Sequence, residues 1–443
     1  MGDFSSVIKS KKIDIRWRLN MNSLPVAIIG GGPVGLAAAA HLAVRDVPFV
    51  LFEGKSEVGA SILEWKHVSL FSPWKYNIDR AAKSLLEKES WKEPAGDHLP
   101  TGEQLVRDYL QPLAETKALK PYIYTNAPVQ SIYRKGIDKI KDHNRENTPF
   151  IIRYKQDNDQ KTLRARAVID ATGTWFSPNP IGAGGVPAIG EQEAKDSIYY
   201  GIPDVKGKDR SRYEGKTILV VGSGHSAIHT LLDLAQLKEA APSTRILWAI
   251  RRNSPNGLFG GGQEDALPAR GQLGLALEAL LSKQKVELIS SFEMEQIDRV
   301  EGRLSIVGVQ NESPISLPLV DEIVANTGAR PTVDYHRDIR YQLDSKLESV
   351  PALAPLIDPN IHSCGTVRPH GEKELRQPEK NFYIAGVKSY GRAPTFLLAT
   401  GYEQVRSIVA SLAGSKKEAE RVELQLPKTG VCKSDFLAKR SCC

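Results

Sequence analysis

The sequence predicts an α/β protein with two parallel-sheet units. Three observations lead to this prediction. An apolar strand runs into a glycine-rich turn and then a helix at residues 25–44, and the same order recurs at residues 216–237. Later short strands close on a threonine–glycine or alanine–glycine pair. The chain has 443 residues, of which 41% are hydrophobic and 25% charged, so it is globular and too long for one core.

The first glycine-rich turn has the full context of a dinucleotide-binding site. Gly30, Gly32 and Gly35 match the pattern GxGxxG, with Pro33 between them. A strand precedes the turn, a helix follows it, and the next strand ends at Glu53. In this pattern the first glycine permits the tight turn, the second lets the backbone approach a pyrophosphate, and the third allows close packing of helix on strand. We expect Glu53 to accept hydrogen bonds from a ribose diol.

The second turn is similar but has a different residue at the ribose position. Gly222, Gly224 and Ala227 give GxGxxA directly after a strand, and the following strand ends in Arg251 and Arg252 instead of an acid. A guanidinium suits a ribose 2′-phosphate, which it can hold with paired, charge-assisted bonds. The pattern therefore favours NADPH over NADH, although arginines after a strand can also be plain surface charges.

Composition and charge exclude several other classes of protein. The formal charge of +7 is spread along the chain, whereas nucleic-acid binding calls for a concentrated basic stripe. The longest apolar run, residues 26–44, contains glycines and a proline and fits a strand, turn and helix better than a membrane span. The N-terminus lacks the apolar core of a secretory signal, and translation starts at Met1 or Met21. Since four cysteines are too few for a disulfide scaffold, we expect a cytoplasmic protein.

With these motifs in place, the chain resembles the two-dinucleotide-binding-domain flavoproteins over about residues 25–414. The resemblance implies two Rossmann-like domains, with FAD on the first turn and NADPH on the second. The implied limits are an N-terminal extension (1–20), an FAD-binding domain in two parts (21–213 and 331–414), an inserted NADPH-binding domain (214–330) and a flexible cysteine-containing tail (415–443).

The resemblance also assigns flavin contacts outside the first turn. These are Val129 beside the adenine, Thr172 and Gly173 at the crossing between domains, Gly386 after the last strand, and Thr395 at the start of a helix aimed at the flavin. A helix N-terminus there would favour the negative charge of reduced flavin. Val387 stands where the family usually has an aspartate, so the resemblance predicts that this carboxylate contact is missing.

Cysteine spacing separates the branches of this superfamily. No CxxxxC follows Glu53, and residues 214–330 contain no cysteine, so neither usual dithiol chemistry fits. Residues 57–65, 99–114 and 173–180 resemble segments of flavin-containing monooxygenases. The monooxygenase motif FxGxxxHxxx is not intact at residues 190–204, and Ser72 falls where that family has an active-site asparagine.

The function that this resemblance implies is an FAD-dependent NADPH oxidoreductase. We expect a flavin monooxygenase that oxygenates a soft nucleophile through a C4a-(hydro)peroxyflavin, with a small-molecule substrate and molecular oxygen as partners. One alternative is an NADPH-dependent reductase of a quinone, metal, metalloid or protein acceptor without oxygen insertion. Another is a nucleotide-binding redox sensor without catalysis. No acid–base residue stands out in the sequence.

Several aromatic and sulfur-containing residues are further candidates. Trp65, Trp74 and Trp175 could wall the flavin pocket or belong to the core, and His225 in the second turn is expected to serve in packing. Three thiolates near the C-terminus could capture a soft ion such as arsenite, mercury or copper(I). They belong to Cys432, Cys442 and Cys443, and the alternative is a tail with incidental cysteines.

Overall fold

The structure, a computed structural model, describes residues 21–255, 265, 267–361, 367–394 and 396–424. Within them the strands are β1 Val26–Ile29, β2 Phe49–Phe52, β3 Ile123–Tyr124, β4 Val129–Arg134, β5 Phe150–Gln156, β6 Asp159–Ala165, β7 Ala167–Asp170, β8 Ile198–Tyr200, β9 Thr217–Val221, β10 Arg245–Ala249, β11 Glu287–Ile289, β12 Phe292–Val300, β13 Arg303–Gln310, β14 Ser313–Ser316, β15 Glu322–Ala325 and β16 Phe382–Ile384. The α-helices are α1 Pro33–Val44, α2 Ala60–Leu63, α3 Arg80–Leu86, α4 Gly102–Leu105, α5 Gln111–Glu115, α6 Arg210–Tyr213, α7 His225–Ala240, α8 Pro268–Ser282, α9 Ala354–Ile357, α10 Glu372–Leu375, α11 Leu398–Leu412 and α12 Lys416–Glu420.

The first unit is built on a five-stranded sheet with the order β16-β7-β1-β2-β3. All its neighbouring strands are parallel. Every residue of β1, β2 and β7 is buried, as expected for a parallel sheet covered on both faces. Helix α1 is buried along most of its length because α3 and α11 pack against it. An antiparallel sheet, β4-β5-β6, completes this unit.

The second unit has its own five-stranded parallel sheet, with the order β11-β10-β9-β15-β8. Its strands all lie in the chain between β7 and β16, so this unit is inserted into the first, as predicted. Helix α7 packs against α8 over the sheet, and the antiparallel sheet β12-β13-β14 extends the unit. The predicted α/β class with two parallel sheets is confirmed.

The structure corrects the predicted boundary at residues 213 and 214. Strand β8 lies upstream of that boundary, yet it pairs with β15 of the second sheet, and Ile198 is buried in the second unit's core. The chain enters the second unit near residue 179, where the Asn179 N–H donates to the Gly328 carbonyl over 2.9 Å. It returns alongside, since the Arg330 N–H donates to the Ser177 carbonyl over 3.0 Å. The outgoing and returning crossings are therefore hydrogen-bonded to each other.

Two predictions about the C-terminal part also need correction. Helix α11 begins at Leu398, not near Pro394, because Phe396 packs against Tyr390 and Gly401 and Leu397 stays extended. The expected flexible tail from residue 415 begins instead with α12, which packs against α11. Residues 425–443 and the N-terminal extension, residues 1–20, lie outside the described residues. Among the helices that the structure describes, none has the length and apolar character needed to cross a membrane.

Candidate functional site

The first glycine of each turn lies against the end of the neighbouring strand. Gly30 has φ +104°, and a Cβ built on it would lie 2.7 Å from the Ala171 carbonyl oxygen. Gly222 has φ +126°, and its Cβ would lie 2.2 Å from the Asn326 carbonyl oxygen. Both the backbone angle and the available space therefore require glycine. The two turns repeat one geometry, as the shared sequence pattern predicts.

The second glycine of each turn faces open space. Gly32 and Gly224 are the N-cap residues of α1 and α7, with extended backbone angles, and a Cβ on either would meet nothing within 4 Å. Unpaired backbone N–H groups and the positive end of the helix dipole face this space, which is the usual setting for a phosphate. Pro33, at the first turn of α1, has no N–H to leave unpaired.

The third position of the pattern serves packing in both turns. A Cβ on Gly35 would lie 1.9 Å from the Gly30 carbonyl oxygen, so α1 contacts its own turn too closely for any side chain. Ala227 is fully buried in α7, where the second unit has room for one methyl group. The Trp248 indole N–H also fixes the second turn by donating to the Gly222 carbonyl over 2.7 Å.

Glu53 is tied to the first turn on one side and to β4 on the other. Its Oε2 accepts from the Gly31 N–H and its Oε1 from the Lys55 N–H, each over 2.8 Å. Its backbone carbonyl accepts from the Ala127 N–H, two residues before Val129 at the start of β4. The structure thus brings Glu53, the first turn and Val129 together at the carboxyl edge of the first sheet, on the side of β2.

Gly386, Gly173 and α11 meet at the same carboxyl edge of the first sheet, on the side of β7 and β16. A Cβ on Gly386, which has φ +71°, would lie 3.3 Å from Val34 beside the first turn. Gly173 faces Val387, whose Cγ1 would lie 3.7 Å from a Cβ at that glycine. Helix α11 joins them, because Gln404 Oε1 accepts from the Gly386 N–H over 2.7 Å. Thr395 lies outside the described residues.

A buried polar cluster lies beside Gly173 and Gly386, and the sequence did not predict it. The Lys388 ammonium donates to Asp170 Oδ2 over 2.7 Å, to Tyr335 Oη over 2.6 Å and to Thr172 Oγ1 over 3.0 Å. Thr172 also donates to Asp170 Oδ1 over 2.8 Å. His336 Nε2 lies 2.7 Å from Asp170 Oδ2. The side chains of Asp170, Lys388 and His336 are fully buried.

Burial and neighbouring charges shift the pKa values of this cluster in opposite directions. Burial alone would raise the pKa of Asp170, but the Lys388 charge and the His336 contact hold it well below its usual range. Burial lowers the pKa of Lys388 and that of His336, against the effect of the carboxylate. The cluster is therefore a Lys388–Asp170 ion pair with a neutral histidine beside it. Residues far apart in the chain form it, so no local motif could have revealed it.

The two arginines predicted to contact a ribose phosphate follow β10 and are exposed. Arg251 and Arg252 follow the carboxyl end of the strand next to the second turn, and both are exposed. Neither side chain forms an ion pair with another described residue, while the Arg252 carbonyl accepts from the Ser291 N–H over 2.8 Å. Their guanidinium groups are thus available to a ligand.

Aromatic residues of the two units meet at the boundary between them, here called the cleft. The rings of Trp65 and Trp175 have their centroids 6.2 Å apart, and Phe71 of the first unit lies 5.3 Å from the ring of His225 at the start of α7. His225 therefore packs across the cleft. Trp74 is instead buried in the first core, 4% exposed, so of the two roles left open by the sequence it has the core role.

The Ser72 side chain is held by a hydrogen bond within the first unit. Its hydroxyl donates to Asn77 Oδ1 over 2.9 Å, and Asn77 Nδ2 donates to the Ser72 carbonyl over 2.7 Å. Both residues are buried. All four cysteines, Cys364 and the three of the predicted capture site, lie outside the described residues. Within the part described, no group of three or more His, Cys, Asp or Glu side chains could hold a metal ion.

Comparison with known proteins agrees with this geometry. The family model of the pyridine nucleotide-disulphide oxidoreductases matches residues 27–356. Ferredoxin–NADP reductase 1 of Bacillus cereus is 24% identical over 325 residues, which are 73% of each chain. The probable indole-3-pyruvate monooxygenase YUCCA9 of Arabidopsis thaliana is 28% identical over 213 residues, 47% of this chain and 44% of that protein. The structure of FAD-bound DfoA, a cadaverine monooxygenase of Erwinia amylovora, matches with a TM-score of 0.63 at 15% identity and covers 91% of this chain and 97% of DfoA.

The chain therefore belongs to the pyridine nucleotide-disulphide oxidoreductase family. It is an oxidoreductase that depends on FAD and NADPH, so the predicted enzyme class and both cofactors are confirmed. The comparisons include reductases and monooxygenases alike.

Alanine in place of the second glycine of each turn should weaken the binding of one cofactor and leave the other unaffected. We expect Gly32→Ala to keep the fold but weaken FAD binding about 10-fold or more, because the new methyl group occupies the space facing the α1 N-terminus. Gly224→Ala should keep FAD and raise the KM for NADPH by a similar factor. Flavin content and NADPH titrations measure the two effects. Full flavin content and affinity in Gly32→Ala would contradict the assignment of the first turn.

Lys388→Met should destabilise the fold in a pH-dependent way. Loss of the ammonium leaves the Asp170 charge buried without its partner, which costs about 3–5 kcal/mol. Without Lys388 the folded-state pKa of Asp170 rises above its unfolded value, so protonation at low pH relieves the cost. Urea unfolding should therefore show a larger deficit at about pH 8 than at about pH 5. Lys380→Met, which removes an exposed lysine, is the control and should change little; an equal deficit at both pH values would count against the ion pair.

Proposed function

We propose that this chain is a flavin monooxygenase that uses NADPH and oxygen to oxygenate a soft nucleophile in a small-molecule substrate. One observation carries the proposal: the chain has two nucleotide turns of one geometry, and it has neither CxxxxC after Glu53 nor any cysteine in residues 181–330. Electrons that reach the flavin therefore have no resident dithiol to pass to in the usual positions. Similarity to a plant monooxygenase, over about half of the chain, supports oxygen as the acceptor.

The residues fit the two nucleotides in distinct roles. We assign FAD binding to Gly30, Gly32, Pro33, Gly35, Glu53, Val129, Thr172, Gly173 and Gly386. We assign NADPH binding to Gly222, Gly224, Ala227, Arg251 and Arg252. When bound, NADPH supplies a hydride and FAD passes the electrons on. The two turns would hold the nucleotides, and the paired rings of Trp65 and Trp175 would help to exclude water from the reacting groups.

One observation favours a second candidate function. The similarity to a ferredoxin–NADP reductase spans 73% of each chain, more than the similarity to the monooxygenase. A reductase of an external acceptor would use the same nucleotide sites without oxygen insertion. The cytoplasmic location stays a prediction that rests on the low cysteine content.

Rapid mixing separates these two functions. The protein is reduced anaerobically with NADPH and then mixed with oxygenated buffer, while flavin absorbance is followed. A monooxygenase should give a transient near-ultraviolet band before oxidised flavin returns, because its cleft protects the oxygenated state from water. Direct return to oxidised flavin, together with fast reduction of an added quinone, would favour the reductase.

Coenzyme preference tests the role of the two arginines. In the double variant Arg251→Gln/Arg252→Gln we expect the KM for NADPH to rise about 10- to 100-fold and the KM for NADH to stay unchanged, because only NADPH carries the 2′-phosphate. Steady-state oxidation of both coenzymes measures this. Arg245→Gln is the matched control, since Arg245 is the first residue of β10, the strand that Arg251 and Arg252 follow, but is paired with Glu287. Parallel changes for both coenzymes would contradict the assignment.

A further inference from the structure

Two arginines from different parts of the chain converge beside the crossing. Arg330 lies in the returning crossing after β15, and Arg392 lies in the loop between β16 and α11. A Cβ built on Gly185 would lie 3.3 Å from Arg392 Nη2 and 3.8 Å from Arg330 Nη2. These two nitrogens are therefore at most about 7 Å apart, and both belong to cations.

The charge of this arginine pair is poorly compensated. Arg330 donates only to neutral acceptors, Asn179 Oδ1 over 2.8 Å and the Gly185 carbonyl over 3.1 Å, and no described carboxylate lies within ion-pair distance of it. Arg392 has one distant partner, Glu348, at 3.7 Å, and both of these side chains are about one-third exposed. Two like charges at this separation repel each other, and an anion bound between or beside them would offset this repulsion.

Both arginines are held in place by the backbone around them. Asn179, which fixes Arg330, donates its side-chain amide to the Thr327 carbonyl over 3.1 Å. The Arg392 N–H donates to the Leu347 carbonyl over 2.7 Å, directly after Gly391, whose φ of +60° excludes most other residues. The guanidinium of Arg330 is thus positioned in advance and loses little entropy when it binds an anion, while at Arg392 it is the backbone that is fixed.

Strand order places the pair at the reacting end of the cleft. In the first sheet Glu53 follows β2 on one side of the glycine turn, and β7 and β16 lie on the other side. In the second sheet Arg251 follows β10 on one side, and β15 lies on the other. A dinucleotide with its adenosine ribose at the residue after β2 or β10 extends its other half across the turn. Arg330 follows β15 and Arg392 follows β16, so both lie where the reactive rings would meet.

We propose that Arg330 and Arg392 bind a carboxylate of the substrate beside the flavin. This inference rests on the proposed function, because it names the class of substrate for the same cleft. The planar fork of a guanidinium matches a carboxylate with two parallel bonds.

Benzoate and its neutral isostere benzamide test the proposal on the FAD-containing protein. Each is titrated while the flavin absorbance is followed. Benzoate should perturb the spectrum with a Kd below about 10 mM, and benzamide should bind at least about 10-fold more weakly. Arg392→Gln should weaken benzoate binding about 10- to 100-fold without affecting benzamide, Arg330→Gln should act likewise, and Arg392→Lys should restore part of the affinity. Arg107→Gln, at an exposed arginine paired with Asp108, is the control and should bind like the unaltered chain.

Equal binding of the two probes, no spectral change up to about 10 mM benzoate, or unaltered affinity in a flavin-loaded Arg392→Gln would overturn the carboxylate site. Reduction of the unaltered protein by NADPH is measured separately. A flavin that NADPH cannot reduce would count against the proposed function and leave the benzoate result standing.

Discussion

The close approach of a glycine to the end of the neighbouring strand is the constraint on which both nucleotide units depend. Gly30 contacts the Ala171 carbonyl, and Gly222 contacts the Asn326 carbonyl. Ala171 directly follows β7 and Asn326 directly follows β15, so each lies where a crossing between the units begins. The turn that faces the phosphate and the segment that joins the units are therefore built as one piece. A side chain at either glycine would displace both together.

The insertion of the second unit creates a problem that the buried cluster solves. The two parts of the first unit are separated by the whole second unit in the chain, and they must rejoin at β7 and β16. Lys388 and Asp170 make this connection inside the protein, where an ion pair is favourable only if its remaining hydrogen bonds are also satisfied. Tyr335 and Thr172 satisfy them. Val387, beside the lysine, lies against Gly173.

The strand orders of the two sheets give the cleft between them two distinct sides. The residues that distinguish the nucleotides, an acid in the first unit and arginines in the second, follow strands on one side of each turn. The crossings lie on the other side, together with the aromatic residues that meet across the cleft. Arg330 and Arg392 bring positive charge to this side, and the structure offers them only Glu348 as a counterion at ion-pair distance among the described residues. The chemistry of the cleft is thus set by residues that do not belong to the glycine motifs.

The sequence by itself determined the two turns and the α/β class, because each of these depends on a strand, a turn and a helix that are adjacent in the chain. It did not determine strand β8, since three residues after a loop carry no pattern until β15 pairs with them. It placed the start of α11 too early because the packing of Phe396 against Tyr390 keeps the preceding residues extended. The Lys388–Asp170 cluster and the arginine pair arise only when segments more than 60 residues apart meet, as Arg330 and Arg392 do. Only the tertiary structure decides such contacts, because their free energy comes from burial and charge and not from local backbone geometry.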